Sequence, residues 1–198
     1  MNRLSLVPLL GLALGCAAAI STELREPNAP PILRKLVIMP FATDPAPGGS
    51  VAVDAAAVVA TRVLEAMTQE TRLEIVPPGE AARVRGAAEV PSGEELRRQF
   101  GVDAVLTGSV RRYVERIGGP AGASRPAAVW FSLELRSPDG EILWSGTYDE
   151  TQRALSEDLG SFGRAWRRGF RWVTAADLAG YGARQLARAL AAETVSWS

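Results

Sequence analysis

The chain has no histidine and one cysteine among its 198 residues, and Lys35 is its only lysine. The missing histidine removes the commonest general base and the commonest transition-metal ligand together, so neither a zinc nor a copper site is expected and no cofactor is assigned. One lysine at the entry of a strand cannot supply a serine–lysine pair or a GxxxxGK phosphate loop. The serines of TGSV (107–110) and GSF (160–162) never fall in GxSxG. Charge of either sign is not in excess: 22 basic side chains face 22 acidic ones, so bulk charge gives no reason to expect nucleic acid as a partner. The apolar run Leu4 to Gly15 is too short for the roughly 20 residues that span a bilayer, and no internal repeat of fixed period is present.

Carboxylates are the acid–base groups left. Asp149 and Glu150 are adjacent, but neighbours on a strand point to opposite faces and would not share a site. Glu94 and Glu95 open a helix, where negative charge opposes the positive end of the backbone dipole. The chain is therefore read as non-catalytic, and a carboxylate-dependent cell-wall hydrolase is the enzyme alternative. GGPAG (118–122) reads as a hairpin loop rather than a phosphate cradle, because no capped helix follows it.

What is present begins at the amino terminus. Arg3 precedes an apolar stretch of about a dozen residues, Leu4 to Gly15, which is the length of an export signal. It ends in LALGC, with small Gly15 at the cleavage position and the lone Cys16 after it. This resembles the lipobox of bacterial lipoproteins, with Ala13 where that family usually has leucine. The resemblance implies cleavage after residue 15, a thioether-linked diacylglycerol and an amide-linked acyl chain on Cys16, and, with Ala17 in place of a retention aspartate, delivery to the periplasmic face of the outer membrane. Two or more acyl chains hold a protein stably where a single one gives only about 10⁴ M⁻¹. The competing reading makes Cys16 a small apolar residue within an ordinary cleaved signal or a hydrophobic amino-terminal helix. Loss of residues 1–15 leaves 21 basic against 22 acidic side chains and no thiol available for a disulfide.

Three regions follow: a signal over 1–15, a lipidated cysteine with a flexible tether over 16–33, and one periplasmic domain over 34–198. The tether is small, polar and proline-bearing, with Pro27, Pro30 and Pro31 disfavouring regular structure. Order is expected to begin at Arg34. KLVIMPF (35–41) suits a strand buried on both faces. Ala56, Val59, Ala60, Val63, Leu64 and Met67 give a helix over about 52–69 one apolar face. RLEIV (72–76) reads as a strand. Ser92 with Glu95 forms a capping box for a helix over about 93–100, stopped by Gly101.

DAVLTGSVRRYVERI (103–117) reads as a long strand. Val129, Phe131, Leu133 and Leu135 alternate with polar neighbours in the next, and SPDG (137–140) turns into a third carrying Ile142, Trp144, Gly146 and Tyr148 on one face. Thr174 with Asp177 caps a last helix over about 175–193, with Leu178, Gly182, Leu186, Ala189 and Leu190 as its stripe. The expected fold is α/β: a mixed five-stranded sheet covered by helices, in the order β-α-β-α-β-β-β-α.

KLVIMPF, FGVDAVLTGSV (100–110) and SPDGEILWSGTYDE (137–150) resemble the superfamily of the curli-secretion lipoproteins (CsgG-like). The penicillin-binding-protein activator lipoproteins and the amino-terminal domain of the Tol-system propeller protein belong to it as well. The likeness spans residues 34–193 and implies an envelope domain that binds other proteins or assembles into rings. The curli member crosses its membrane through added amphipathic strands, whereas the insertion at 118–127 is too short and polar for strands of about 9–11 alternating residues.

RAWRRGFRW (164–172) is the stretch that stands out for contact. On a helix Phe162, Trp166, Phe170 and Val173 fall on one side and Arg164, Arg167, Arg168 and Arg171 on the other. Gly163 and Gly169 each weaken that helix by about 1 kcal/mol, so something must receive its aromatic side. The receiver is the domain's own sheet, or a protein groove or headgroup layer, where Trp and Arg are both favoured; nucleic acid is the least favoured reading, because an exported protein does not normally meet it. Arg164, Trp166, Arg167, Arg168, Phe170, Arg171 and Trp172 are thus the candidate partner or membrane contacts, and Cys16 the candidate lipidation site. The functional expectation is an outer-membrane-anchored scaffolding lipoprotein that meets the membrane through its lipid and a periplasmic or outer-membrane protein through its domain. A self-assembling ring subunit is the alternative.

Overall fold

The computed structural model describes residues 19–24, 32–45, 51–52, 54–84, 90–119, 122–152 and 173–194. Along the chain run β1 (Ala19–Leu24), β2 (Lys35–Ile38), β3 (Ala42–Thr43), α1 (Ala55–Glu70), β4 (Glu74–Val76), α2 (Pro78–Ala81) and α3 (Gly93–Phe100). After these come β5 (Ala104–Val114), β6 (Ile117–Gly119), β7 (Gly122–Arg125), β8 (Ala128–Arg136), β9 (Ile142–Thr151) and α4 (Ala175–Thr194). Seven strands form one mixed sheet in the order β1-β9-β8-β5-β2-β4, with β3 extending the β2 side against β5, while β6 and β7 make a separate two-stranded hairpin. The β4, β2, β3 and β5 strands are parallel and the β5, β8, β9 and β1 strands antiparallel.

The sheet thus has seven strands rather than the expected five. KLVIMPF is interrupted at Pro40, which cannot donate to a ladder, so β2 and β3 are distinct. The larger departure is β1. Order was expected only from Arg34, yet Ala19–Leu24 pairs antiparallel along β9 in unbroken register from Ala19↔Asp149 to Leu24↔Trp144. A short strand that takes its hydrogen bonds from a distant neighbour carries little local signal, and the prolines after it dominated the composition. α2, a single turn with Pro78 at its start, also lies outside the expected order.

The remaining elements follow their local chemistry. The Ser92 hydroxyl accepts from the Glu95 amide at 3.3 Å and the Glu95 carboxylate accepts from the Ser92 amide at 2.8 Å, closing the capping box. Gly101 ends α3 at φ 66°, a left-handed conformation that glycine adopts without a Cβ penalty. Thr174 and Asp177 exchange the same two bonds at the head of α4, both 3.1 Å long. The SPDG turn closes through Gly140 N to Ser137 O at 2.9 Å.

Two cores flank the sheet. On one face α1 and α4 cover Leu36, Ile38, Leu106, Phe131, Leu133, Trp144 and Tyr148. On the other, Val37, Met39, Val76 and Val105 pack with Ala81 of α2 and Leu96 of α3. β2 is therefore buried on both faces, as its unbroken apolar run implied. Burying an aliphatic or phenylalanine side chain contributes about 1.5–3 kcal/mol. Along β8 and β9 only one face is apolar: Trp130, Ser132, Glu134, Ser145, Thr147 and Asp149 belong to neither core and are half-buried.

Candidate functional site

Register alone brings four strands together at one end of the sheet. Ala19 of β1 pairs with Asp149 of β9, Asp149 with Trp130 of β8, and Trp130 with Arg112 of β5. α4 starts at the same end, where the Glu115 carboxylate accepts from the Ala175 amide at 3.2 and 3.3 Å, placing negative charge at a helix amino terminus. Gln152 Oε1 accepts from the Val173 amide at 3.0 Å. From this end the chain also runs out into the β6–β7 hairpin, in which Ile117 pairs with Arg125 and Ser124 Oγ donates to Ile117 O at 3.2 Å. Ile117 is 50% exposed.

Charges near this end are mostly matched. Arg112 is paired with Asp149 across the sheet. Arg111, displaced by a bulge between Val110 and Arg112, reaches Asp44 at 2.9 Å and stacks over the Trp130 ring 5.0 Å from its centroid. Burial, reinforced by Glu115 and Asp54, pushes the Tyr113 phenol above its ordinary value. Arg112 Nε and Arg116 Nη1 are buried without a hydrogen-bond partner. Arg125 is exposed, and no ion pair engages it or Arg116 among the described residues.

Among the described residues no group of three or more His, Cys, Asp or Glu side chains could hold a metal ion, and no helix is long and apolar enough to cross a membrane. An open polar depression of about 430 Å³ beside α3, lined by Val84, Glu95, Arg98 and Gln99, holds no nucleophile–base pair. Among the described residues the architecture presents three surface features: a sheet end with a projecting hairpin, a polar sheet face, and the outer edge of β1.

Cys16 lies outside the described residues, as do Arg164, Trp166, Arg167, Arg168, Phe170, Arg171 and Trp172. Their points of attachment are described, and they converge. Ala19 follows Cys16 by three residues, while Gln152 and Val173 bracket the stretch that holds 164–172, and all three sit at the same sheet end. Sequence reasoning picked out the residue types but missed this convergence, which only the β1–β9 register reveals. It also passed over Ile117 and Arg125, for which an isoleucine facing an arginine across a glycine-rich turn was the available signal.

No protein-family model and no curated protein matches the chain. Solved structures do share its fold. PelC from Paraburkholderia phytofirmans, crystallised as a dodecamer, superposes with a TM-score of 0.55 at 15% identity, covering 88% of this chain and 98% of PelC. The chain is thus similar to PelC in fold over nearly the whole of both molecules. Lipoprotein GNA1162 from Neisseria meningitidis matches with a TM-score of 0.43 at 18% identity, over 69% of this chain and 93% of its own. Protein XCC0632 from Xanthomonas campestris matches at 0.42 and 14% identity, over 86% and 90%.

Proposed function

We propose that the chain is a lipoprotein of the bacterial envelope, trimmed after Gly15 and acylated on Cys16. It is held at the periplasmic face of the outer membrane and works without catalysis as a protein-binding or scaffolding module of an envelope assembly. The CsgG-like superfamily is its proposed home. The observation that carries this reading is a PelC-like sheet whose first strand starts three residues after the cysteine of a lipobox-like signal. The non-catalytic part rests on the absent histidine and on a sole thiol committed to lipid. Arg164, Trp166, Arg167, Arg168, Phe170, Arg171 and Trp172 are the proposed contacts with the partner, with the domain's own sheet as their alternative receiver.

Mass spectrometry of the mature amino terminus tests the anchor: a triacylated residue 16 is expected, and a free thiol there removes both compartment and role. Crosslinking in intact envelopes tests the scaffold and should capture one partner in fixed stoichiometry.

The dodecameric state of PelC favours a second reading, in which copies of this chain build a ring. The outer edge of β1 is the terminal position of the sheet order and suits such a contact. Light scattering on the lipid-free domain at micromolar concentration decides: a strict monomer excludes the ring.

A further inference from the structure

We infer that the β6–β7 hairpin rests in the phospholipid headgroup layer, with Ile117 as its apolar contact and Arg125 as its phosphate ligand. This deepens the proposed function and rests on acylation of Cys16.

Chain reach carries the argument. With an 18-residue tether the domain could float well clear of the bilayer and present any side to it. β1 removes that freedom, because Ala19 is already fixed in the sheet by its pairing with Asp149. The three residue steps from Cys16 to Ala19 extend at most about 11 Å. The lipid therefore holds this end of the sheet against the surface, and the opposite end, at the SPDG turn, lies the length of β9 away, roughly 30 Å for a ten-residue strand.

The hairpin belongs to the held end. Ala19 and Arg112 stand three strands apart in one row, about 14 Å at ordinary strand spacing. The chain runs on from Arg112 through Val114 to Ile117 and returns from Arg125 to Ala128. Its side chains fit the headgroup layer: half of Ile117 is open to solvent, and Arg125 opposite it carries no ion pair. An exposed isoleucine next to an unpaired guanidinium matches the boundary between acyl chains and phosphates. Three nearby carboxylates are engaged elsewhere, Asp44 with Arg111, Asp149 with Arg112 and Glu115 with the head of α4. Exposure by itself does not choose the membrane side. Val90 is 82% exposed and stands three residues before Gly93, which abuts Pro138 at the far end. The reach from Cys16 does choose it.

Cys16 is the sole thiol, so acylation leaves an added cysteine as the only group a spin label can take. The full-length lipidated chain carrying Ile117→Cys, and a second carrying Asp139→Cys in the distal turn, are labelled and placed in vesicles of phosphatidylethanolamine and phosphatidylglycerol. Collision with oxygen is then compared with collision with a water-soluble nickel chelate. The label at 117 should favour oxygen and the label at 139 the chelate, and Arg125→Gln should move the 117 label toward the aqueous value. A 117 label that stays aqueous on an acylated chain overturns this inference alone. Dipolar broadening between copies, without an oxygen preference, assigns the hairpin to a protein neighbour and also overturns it. Two titratable thiols, in place of one, mean that Cys16 is unmodified and overturn the proposed function together with this inference.

Discussion

Gly182 of α4 lies directly over the ring of Tyr148 in β9, so close that a Cβ at this position would overlap three ring carbons. The missing side chain lets the helix settle onto the sheet in the larger core, where the Phe131 and Tyr148 rings stand 5.6 Å apart. Two residues earlier, Gly180 has only ordinary contacts, at 3.6 Å to Arg184 and 3.7 Å to Arg62.

The two glycines should respond to alanine in opposite directions. Alanine improves helix propensity by about 1 kcal/mol at either position. At Gly180 nothing opposes that gain, so Gly180→Ala should raise the denaturation midpoint. At Gly182 overpacking of about 1–3 kcal/mol outweighs it, so Gly182→Ala should lower the midpoint. Urea unfolding of the lipid-free domain measures both; a gain in stability at 182 would mean that α4 stands further from β9 than described.

Trp144 is fully buried, and its indole Nε1 has no hydrogen-bond partner. A buried unsatisfied donor costs about 1–3 kcal/mol, whereas the ring around it fills core volume. Trp144→Ala should therefore lose about 3–5 kcal/mol. Trp144→Phe gives up part of the volume but also removes the orphaned donor, so its loss should stay within about 1 kcal/mol. Equal losses in the two variants, measured by the same unfolding curves, would show that the indole N–H is satisfied.

Glu70 at the end of α1 accepts twice from Arg188 of α4, each bond 2.9 Å. Those bonds hold the Glu70 carboxyl below its ordinary value of 4.5. A carboxyl with a depressed folded pKa contributes stability that is present above its unfolded pKa and lost as pH falls through the folded one. The clasp should thus operate at neutral pH and fade below about pH 4.5. Glu70→Gln should lower the unfolding midpoint slightly at pH 7, and the gap between wild type and variant should narrow as acid is added below about pH 4.5. Raised ionic strength should narrow it as well, since both groups are near solvent.

How much the sequence revealed depended on how local each signal was. Ser92 with Glu95, and Thr174 with Asp177, are three-residue patterns with one physical meaning, and both capping boxes formed. The alternation from Val129 to Leu135 and the buried run Leu36–Met39 were equally self-contained. β1 was hidden because AISTEL is held by residues more than a hundred positions away, in a strand whose free edge could have stayed bare. β3 is two residues long and offers no period at all. The candidate site followed the same rule: chemistry marked Cys16 and RAWRRGFRW, but their convergence on one sheet end is visible only through the pairing of Ala19 with Asp149.

If β1 belongs to the domain, its removal should be costly in a specific way. A soluble chain that begins at Arg25 leaves the outer edge of β9 unpaired from Trp144 to Asp149. Each backbone hydrogen bond lost weakens the fold by about 1 kcal/mol, and an open edge beside the Trp144 and Tyr148 core invites association between copies. Compared with a soluble chain that begins at Ala17, the shorter one should unfold at lower urea and scatter more light at equal concentration. Amides in β9 should lose their slow hydrogen exchange at the same time. Should the two chains unfold alike, with β9 equally protected, β1 would be a detachable arm, and the short reach from Cys16 to the sheet would no longer orient the domain.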